Sequence, residues 1–231
     1  MVTPLKRILL ATRNQGKLRE LRGLVSGSGL EIVGLDEVEG APDEVEETGV
    51  TFADNAILKA VAYGGGAGMA ALADDSGLEV DALGGAPGVY SARFAGPGAD
   101  DAANNRLLLE RLAEVPDEAR VARFRCVLAL YVPQEEAAEA LARRALSAPE
   151  VSVVSPGEGR PGAVFLTQGS AEGRVLWAPR GASGFGYDPL FLSAELGVSF
   201  AEAGAEKAQV SHRARALSSL LGWLLGSERA R

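Results

Sequence analysis

The stretch ILLATRNQGKLRELRGLV, residues 8–25, decides the fold class. A short apolar β-forming run, within Lys6 to Thr12, enters a polar turn at Arg13-Asn14-Gln15-Gly16. From Lys17 to Val25 the apolar residues fall at 18, 21, 24 and 25, the spacing of one helical face. A second apolar run, Leu30 to Gly34, follows as a strand. Strand, helix and strand within about thirty residues make a βαβ opening, the unit from which α/β folds are built.

Working outward, Gly40 to Gly49 reads as an acidic loop. Thr51 to Tyr63 reads as a helix that Gly64-Gly65-Gly66 is expected to end. Met69 to Leu72 reads as a strand entering Ala73-Asp74-Asp75-Ser76-Gly77, where the glycine is expected to turn the chain away. Asp100 to Leu112 reads as a helix and Arg123 to Val132 as a strand. Gln134 to Gly162 reads as a surface excursion that starts with a helical piece. Ala163 to Val175 reads as strand, turn and strand, and Val210 to Leu225 as a helix capped by Ser211. No internal repeat is present, and the whole chain, 1–231, is expected to form a single domain.

The 231 residues carry 47% hydrophobic and 23% charged side chains, enough for a sizeable core. The net charge of -8 makes the chain a poor electrostatic partner for a nucleic acid polymer or an anionic membrane. One cysteine, Cys126, and one histidine allow neither an internal disulfide nor a Cys/His zinc cluster. No apolar stretch is long enough to span a bilayer, and the run after Lys6-Arg7 is too short for a signal peptide core, so a cytoplasmic location is expected. Only four of the 23 basic residues are lysines: Lys6, Lys17, Lys59 and Lys207. In so arginine-rich a chain, a lysine can mark a place where a compact, strongly hydrated ammonium suits better than a planar fork.

Five constellations carry chemistry. At Thr12, Asn14 and Lys17, between strand and helix start, outward N–H groups and the helix dipole favour an anion such as phosphate; the plainer alternative is a routine Asn14 N-cap. At Asp74-Asp75, successive side chains of an extended segment point to opposite faces, so one carboxylate can hold a cation or polarise water while the other braces the backbone; the plainer alternative is a solvated turn. Glu46 and Glu47 could donate a metal ligand across to Asp75, or merely complement the next helix start. Gly181-Ala182-Ser183-Gly184-Phe185-Gly186-Tyr187-Asp188-Pro189 offers a flat aromatic face and nearby backbone for a nucleobase, with Asp188 able to accept from a base N–H, or else is a loop pinned by buried aromatics. Lys207, His212 and Arg213 suggest a site for an anion or carbonyl oxygen, against a capping or packing role for the lone histidine. GAGMAA (66–71) matches a dinucleotide fingerprint in letters only, because it follows a helix and leads into a strand. Gly16-Lys17 lacks the remainder of a P-loop.

The stretches TRNQGK (12–17), EETGVTFADNAILKA (46–60), ADDSGLEVDALGGAPGVYSARFAG (73–96), FRCVLAL (124–130), GFGYDPLF (184–191) and SHRARAL (211–217), in this order, resemble the Ham1-like inosine triphosphate pyrophosphatases, also called dITP/XTP pyrophosphatases. The resemblance implies an α/β fold in two lobes, with a long mixed β-sheet flanked by helices and a deep central cleft, and a homodimer. It implies Mg2+-dependent hydrolysis of dITP, ITP or XTP, small-molecule nucleoside triphosphates, to the monophosphate and pyrophosphate. Carried onto this chain, it implies Thr12, Asn14 and Lys17 on phosphates, Asp75 as metal ligand and general base, and Ser76 on the substrate. It further implies Glu46 or Glu47 as second metal ligand, Phe185, Gly186, Tyr187 and Asp188 around the base, and Lys207, His212 and Arg213 on phosphate and the purine 6-oxo group. The Gln134–Gly162 segment is longer than the family usually has there, and Lys207-Ala208-Gln209 lacks the Asn that often follows the Lys. The residues leave three rivals: a Maf-type pyrophosphatase acting on pyrimidine nucleotides, a nucleotide-binding regulator without turnover, and an acidic scaffold protein with turn-rich loops.

Overall fold

The computed structural model describes residues 5–225. The elements run β1 (Arg7–Leu10), α1 (Gln15–Val25), β2 (Glu31–Val33), α2 (Phe52–Ala67), β3 (Ala71–Val80), α3 (Asp101–Arg111), β4 (Val121–Val132), α4 (Glu135–Ala145), β5 (Ser152–Val154), β6 (Ala163–Val175), β7 (Phe191–Ser193), α5 (Lys207–Val210) and α6 (His212–Leu225). The strands form one 7-stranded sheet in the order β2-β1-β3-β4-β6-β5, with β7 also on β6. β1 pairs parallel with β2 (Ile8 opposite Ile32) and with β3 (Leu9 opposite Ala71), as the βαβ opening requires. β6 pairs antiparallel with β5 (Val153 opposite Phe165) and with β7 (Arg174 opposite Leu192), so the sheet is mixed.

The chain divides into two compact units. Unit 1 comprises Met1–Asp75, Val127–Gln168 and Ala216–Arg231; unit 2 comprises Ser76–Cys126 and Gly169–Arg215. β3, β4 and β6 each contribute residues to both. The core of unit 1 joins Leu9, Val33, Ala56, Ala60, Tyr63, Ala71, Ala73, Tyr131 and Val164. The core of unit 2 joins Leu78, Val80, Leu108, Leu112, Phe191 and Phe200 around Phe124. The Phe124 ring meets Phe191 edge-on at 4.8 Å and lies flat on the His212 imidazole at 4.8 Å, contacts that add to area burial.

Three expectations from the sequence need correction. β3 does not end at the acids but runs through Asp74-Asp75-Ser76-Gly77 to Val80. Gly77 serves close approach, not a turn: a Cβ there would stand 2.4 Å from the Gly88 carbonyl oxygen and 2.4 Å from Ser91 Oγ. α2 does not stop at Tyr63 but continues to Ala67 and ends on Gly68 in the left-handed region at φ 64°. Gly64 lies 2.8 Å, measured from its would-be Cβ, from both Ala71 and Tyr131 side chains, so the helix crosses the strands with no room for a side chain. β6 is one unbroken 13-residue strand; its Gly173 faces the Leu192 carbonyl, 2.2 Å from where a Cβ would be. Residues 134–162, by contrast, are mostly exposed and open with a helix, as expected, while being tied to the rest of unit 1. α4 buries Ala138, Leu141 and Ala145, β5 pairs with β6, and Arg144 donates to the carbonyls of Trp223 (2.6 Å) and Leu224 (3.2 Å) at the end of α6, groups a helix terminus leaves without partners.

Arg120, fully buried, braces unit 2. Its guanidinium donates to the carbonyls of Leu112 (2.8 Å), Val175 (3.0 Å) and Leu176 (3.1 Å) and lies 3.9 Å from the centroid of the Trp177 ring. Arg120→Met should therefore destabilise the protein by about 3 kcal/mol, because several buried acceptors lose a charged donor together. Urea unfolding of the two proteins checks this; an unchanged midpoint would show that water replaces the guanidinium without penalty.

Candidate functional site

In unit 1, the turn after β1 is fixed by its own side chains. The Asn14 carboxamide oxygen accepts from the N–H groups of Gly16 (2.8 Å) and Lys17 (3.1 Å), capping α1, and Thr12 Oγ1 accepts from the Asn14 N–H (3.2 Å). The N-cap is thus real and leaves open an anion role for the same turn. Lys17, in the first turn of α1, is unfavourable for the helix by itself. Its ammonium is held 3.0 Å from Asp74 Oδ1, whose carboxylate is fully buried. Arg13 reaches the other way and donates through Nε to the Asp43 carbonyl at 2.8 Å, tying the acidic loop to this turn.

The alternation expected of an extended segment sends the two acids of β3 to different lysines. Asp74 meets Lys17 of α1 and Asp75 meets Lys59 of α2. The Lys59 ammonium stands 3.0 Å from Asp75 Oδ1 and 2.8 Å from Glu47 Oε1. One turn earlier on the same face, Asn55 donates to Asp75 Oδ2 at 3.3 Å and accepts the Gly49 N–H at 2.8 Å. α2 begins in the right place for this because Thr51 and Asp54 form a capping box. Glu47 is half-buried and drawn inward, whereas Glu46 is exposed.

Burial pushes the Asp75 carboxyl above its ordinary value, and the neighbouring Lys59 draws it only part of the way back. For Lys59, burial works against the charge, but the carboxylates of Asp75, Asp74 and Glu47 outweigh it and hold the ammonium protonated. Two hard oxygen donors, Glu47 and Asp75, therefore converge on one positive charge. Among the described residues no group of three or more Asp, Glu, His or Cys side chains encloses a metal by itself. That donor set suits a divalent cation that keeps water and phosphate oxygens in its remaining positions.

Unit 2 gathers the other candidates. Asp188 Oδ2 accepts from the Phe185 N–H at 3.0 Å and from the Lys207 ammonium at 2.6 Å. Gly184 makes this approach possible: at φ 83° it sits where a Cβ would be 2.1 Å from Asp188 Oδ2. The Phe185 ring is 38% exposed, with Lys207 Nζ 5.2 Å and the Arg213 guanidinium carbon 5.9 Å from its centroid. Arg213 Nη2 donates to Ser76 Oγ at 3.0 Å. Tyr187 is buried, and its hydroxyl donates to the Ser91 carbonyl at 2.9 Å. Burial, reinforced by the charge of Asp101, pushes that phenol well above its ordinary range, so it stays a donor. Tyr187 anchors the loop while Phe185 is the ring on display. Ser211 Oγ accepts from the Ala214 N–H at 3.1 Å, the expected cap of α6.

The sequence reading missed Asn55 and Lys59 as site residues. A usable signal was present: a polar pair four residues apart on an otherwise apolar helical stretch, one member being a scarce lysine.

This arrangement belongs to a known group of proteins. The model of the Ham1 family matches residues 8–144 and 135–223. A dITP/XTP pyrophosphatase from Desulforamulus reducens is 46% identical over 216 residues, 93% of this chain and 94% of that protein. One from Symbiobacterium thermophilum is 48% identical over 217 residues, 94% and 93% of the two chains. Among solved structures, a HAM1 protein from Coxiella burnetii aligns with a TM-score of 0.75 at 37% identity, covering 95% of this chain and 98% of that one. The dITP/XTP pyrophosphatase structure from Mycobacterium abscessus aligns at 0.65 with 42% identity, covering 93% and 98%. From the turn at Thr12 to the cap at Ser211, this chain is a member of the Ham1 family.

Proposed function

We propose that this chain is a nucleoside triphosphate pyrophosphatase that hydrolyses dITP, ITP and XTP to the monophosphate and pyrophosphate, with Mg2+ as its metal. The observation that carries the reading is the buried Asp75 carboxylate, held by Asn55 and Lys59 opposite Glu47. Four relatives that align over at least nine-tenths of this chain at 45–48% identity bear the name dITP/XTP pyrophosphatase, which supports the substrate class.

Glu47 and Asp75 are the residues that would hold Mg2+; Glu46, exposed, is the weaker candidate. When bound, the metal supplies charge stabilisation at the phosphate oxygens. Asp75, its basicity raised by burial, takes a proton from the water that attacks the α-phosphorus, and the bond between the α-phosphorus and the α–β bridging oxygen breaks to release pyrophosphate. Lys59 and Lys17 meet the negative charge of the phosphates, Lys17 being oriented by Asp74, and Thr12 and Asn14 complete the anion turn. In unit 2, Phe185 stacks on the base, while Ser76, Lys207, His212 and Arg213 bind the substrate, the last three reaching phosphate and the 6-oxo group. Gly186, Tyr187 and Asp188 hold that loop in shape. Donors aimed at a 6-oxo oxygen reject a 6-amino group because each is left without an acceptor. We further propose a homodimer working in the cytoplasm; among the described residues no helix is long and apolar enough to cross a membrane.

The test is product analysis with ITP, XTP, dITP, ATP, GTP and dTTP, with and without Mg2+, separating pyrophosphate from phosphate. Mg2+-dependent pyrophosphate release confined to the inosine and xanthosine nucleotides is expected. Preference for dTTP would transfer the protein to the pyrimidine class, and binding without turnover would make it a sensor. Arg213→Ala should lower the ITP-over-ATP ratio of kcat/KM by roughly tenfold or more, the worth of a charged hydrogen bond to the 6-oxo group. An unchanged ratio removes Arg213 from base recognition.

A further inference from the structure

The exposed ring of Phe185 is flanked by a glycine whose backbone is gripped from outside. The Gly186 N–H donates to Asp101 Oδ2 at 2.7 Å, and the Gly186 carbonyl accepts from Asn105 Nδ2 at 3.0 Å. Asp101 and Asn105 lie one turn apart on the first two turns of α3, so they face the same way. Gly186 sits at φ 60°, a conformation glycine enters easily and leaves as easily. Bonding both its N–H and its carbonyl removes that freedom. On the other side the Phe185 N–H is fixed by Asp188 at 3.0 Å, so the peptides on either side of Phe185 are pinned while the ring itself stays open.

The grip has no evident value for stability alone. Asp101 has a second reason to be where it is, because an acid in the first turn suits the helix dipole. Asn105 has none. Its Oδ1 is buried with no hydrogen-bond partner among the described residues, a state that costs stability and calls for a reason. An apolar side chain, like the leucines that follow at 107–109, would fill the position without that cost.

We propose that Asp101 and Asn105 form a clamp on the Gly186 peptide that positions Phe185 as a rigid shelf for the base, and so set nucleotide affinity without touching the nucleotide. This deepens the proposed pyrophosphatase reading and rests on it. A shelf fixed beforehand does not have to be ordered when the base arrives, and affinity gains by that amount.

The test compares Asn105→Leu, Asp101→Ala and Asp101→Asn with the parent protein. Four quantities are measured: thermal midpoint, amide exchange at Gly186, the dissociation constant for ITP in EDTA, and kcat with Mg2+. Asn105→Leu should keep or raise the thermal midpoint, speed exchange at Gly186, and weaken ITP binding about tenfold, the worth of roughly one hydrogen bond and its ordering. Its kcat should stay within about threefold, since the reacting atoms are untouched. Asp101→Ala should do the same, and Asp101→Asn, which keeps an acceptor, should recover most of the affinity. Faster exchange with unchanged ITP affinity overturns the proposal, as does affinity lost only in step with the thermal midpoint. Parent protein that binds ITP without hydrolysing it ends the pyrophosphatase reading and leaves the clamp to stand or fall on the dissociation constants; parent protein that does not bind ITP ends both.

Discussion

An Asp75→Asn protein should fold normally and release pyrophosphate from ITP at about one-thousandth of the parent rate or less, the loss expected when a general base is removed. Loss of a metal ligand acts in the same direction. The fold should survive because of how Asp75 is held. Its carboxyl is pushed up by burial, so the charged form is the less comfortable one in the folded chain. A carboxamide of the same shape retains an oxygen for Asn55, and Lys59 keeps Glu47 at 2.8 Å. Circular dichroism and thermal unfolding would establish the fold, and single-turnover product release would establish the rate. Near-normal turnover in the folded variant would remove Asp75 from the mechanism and return its cluster to a purely structural role.

Lys59→Met should lower stability by about 3–5 kcal/mol, the cost of withdrawing one partner from a buried ion pair. The side chains of Lys59 and Asp75 are each only 10% exposed, so water is poorly placed to compensate. Two carboxylates, Glu47 and Asp75, then face one another with no cation between them. The same variant should recover stability when Mg2+ is added, and by more than the parent does, because binding to the folded state alone stabilises it by mass action. Urea titrations with and without Mg2+ read both effects. Equal stability of variant and parent in EDTA would mean that the two acids relax apart, and a variant indifferent to Mg2+ would dissociate Glu47 and Asp75 from any metal role.

The readable parts of this molecule were those where local chemistry and tertiary structure agree. The polar turn after β1 announces an N-cap, and Asn14 caps α1 as the letters require. Ser211 ahead of α6 is equally local. The misread parts are glycines. Gly64, Gly77 and Gly173 look like breaks in a window of ten residues, yet each is a contact with a distant segment: Tyr131, Ser91 and Leu192 respectively. No local pattern distinguishes a glycine that turns from one that makes room. Tyr187 shows the same limit from the other side. Its neighbourhood suggested a base-binding aromatic, but its hydroxyl is committed to the Ser91 carbonyl, 96 residues away in sequence. The pairing of Lys59 with Glu47 and with Asp75 was likewise set by which side chains the helix α2 brings within reach.

The interleaving of the two units has a consequence for how the polypeptide is made. The clustered site residues of unit 1, Lys17, Glu47, Lys59, Asp74 and Asp75, all lie before residue 76, yet that unit is completed only by stretches beginning at Val127 and at Ala216. β3, which carries Asp75, meets its sheet neighbour β4 only once residues 121–132 exist. At roughly 5–20 residues per second of synthesis, on the order of ten seconds separate the emergence of Asp75 from that of Ala216. For that time a nascent chain carries the charged residues of its future centre without the walls that enclose them. Assembly must wait for contacts distant in sequence, which slows it, and neither half can be excised as a working module.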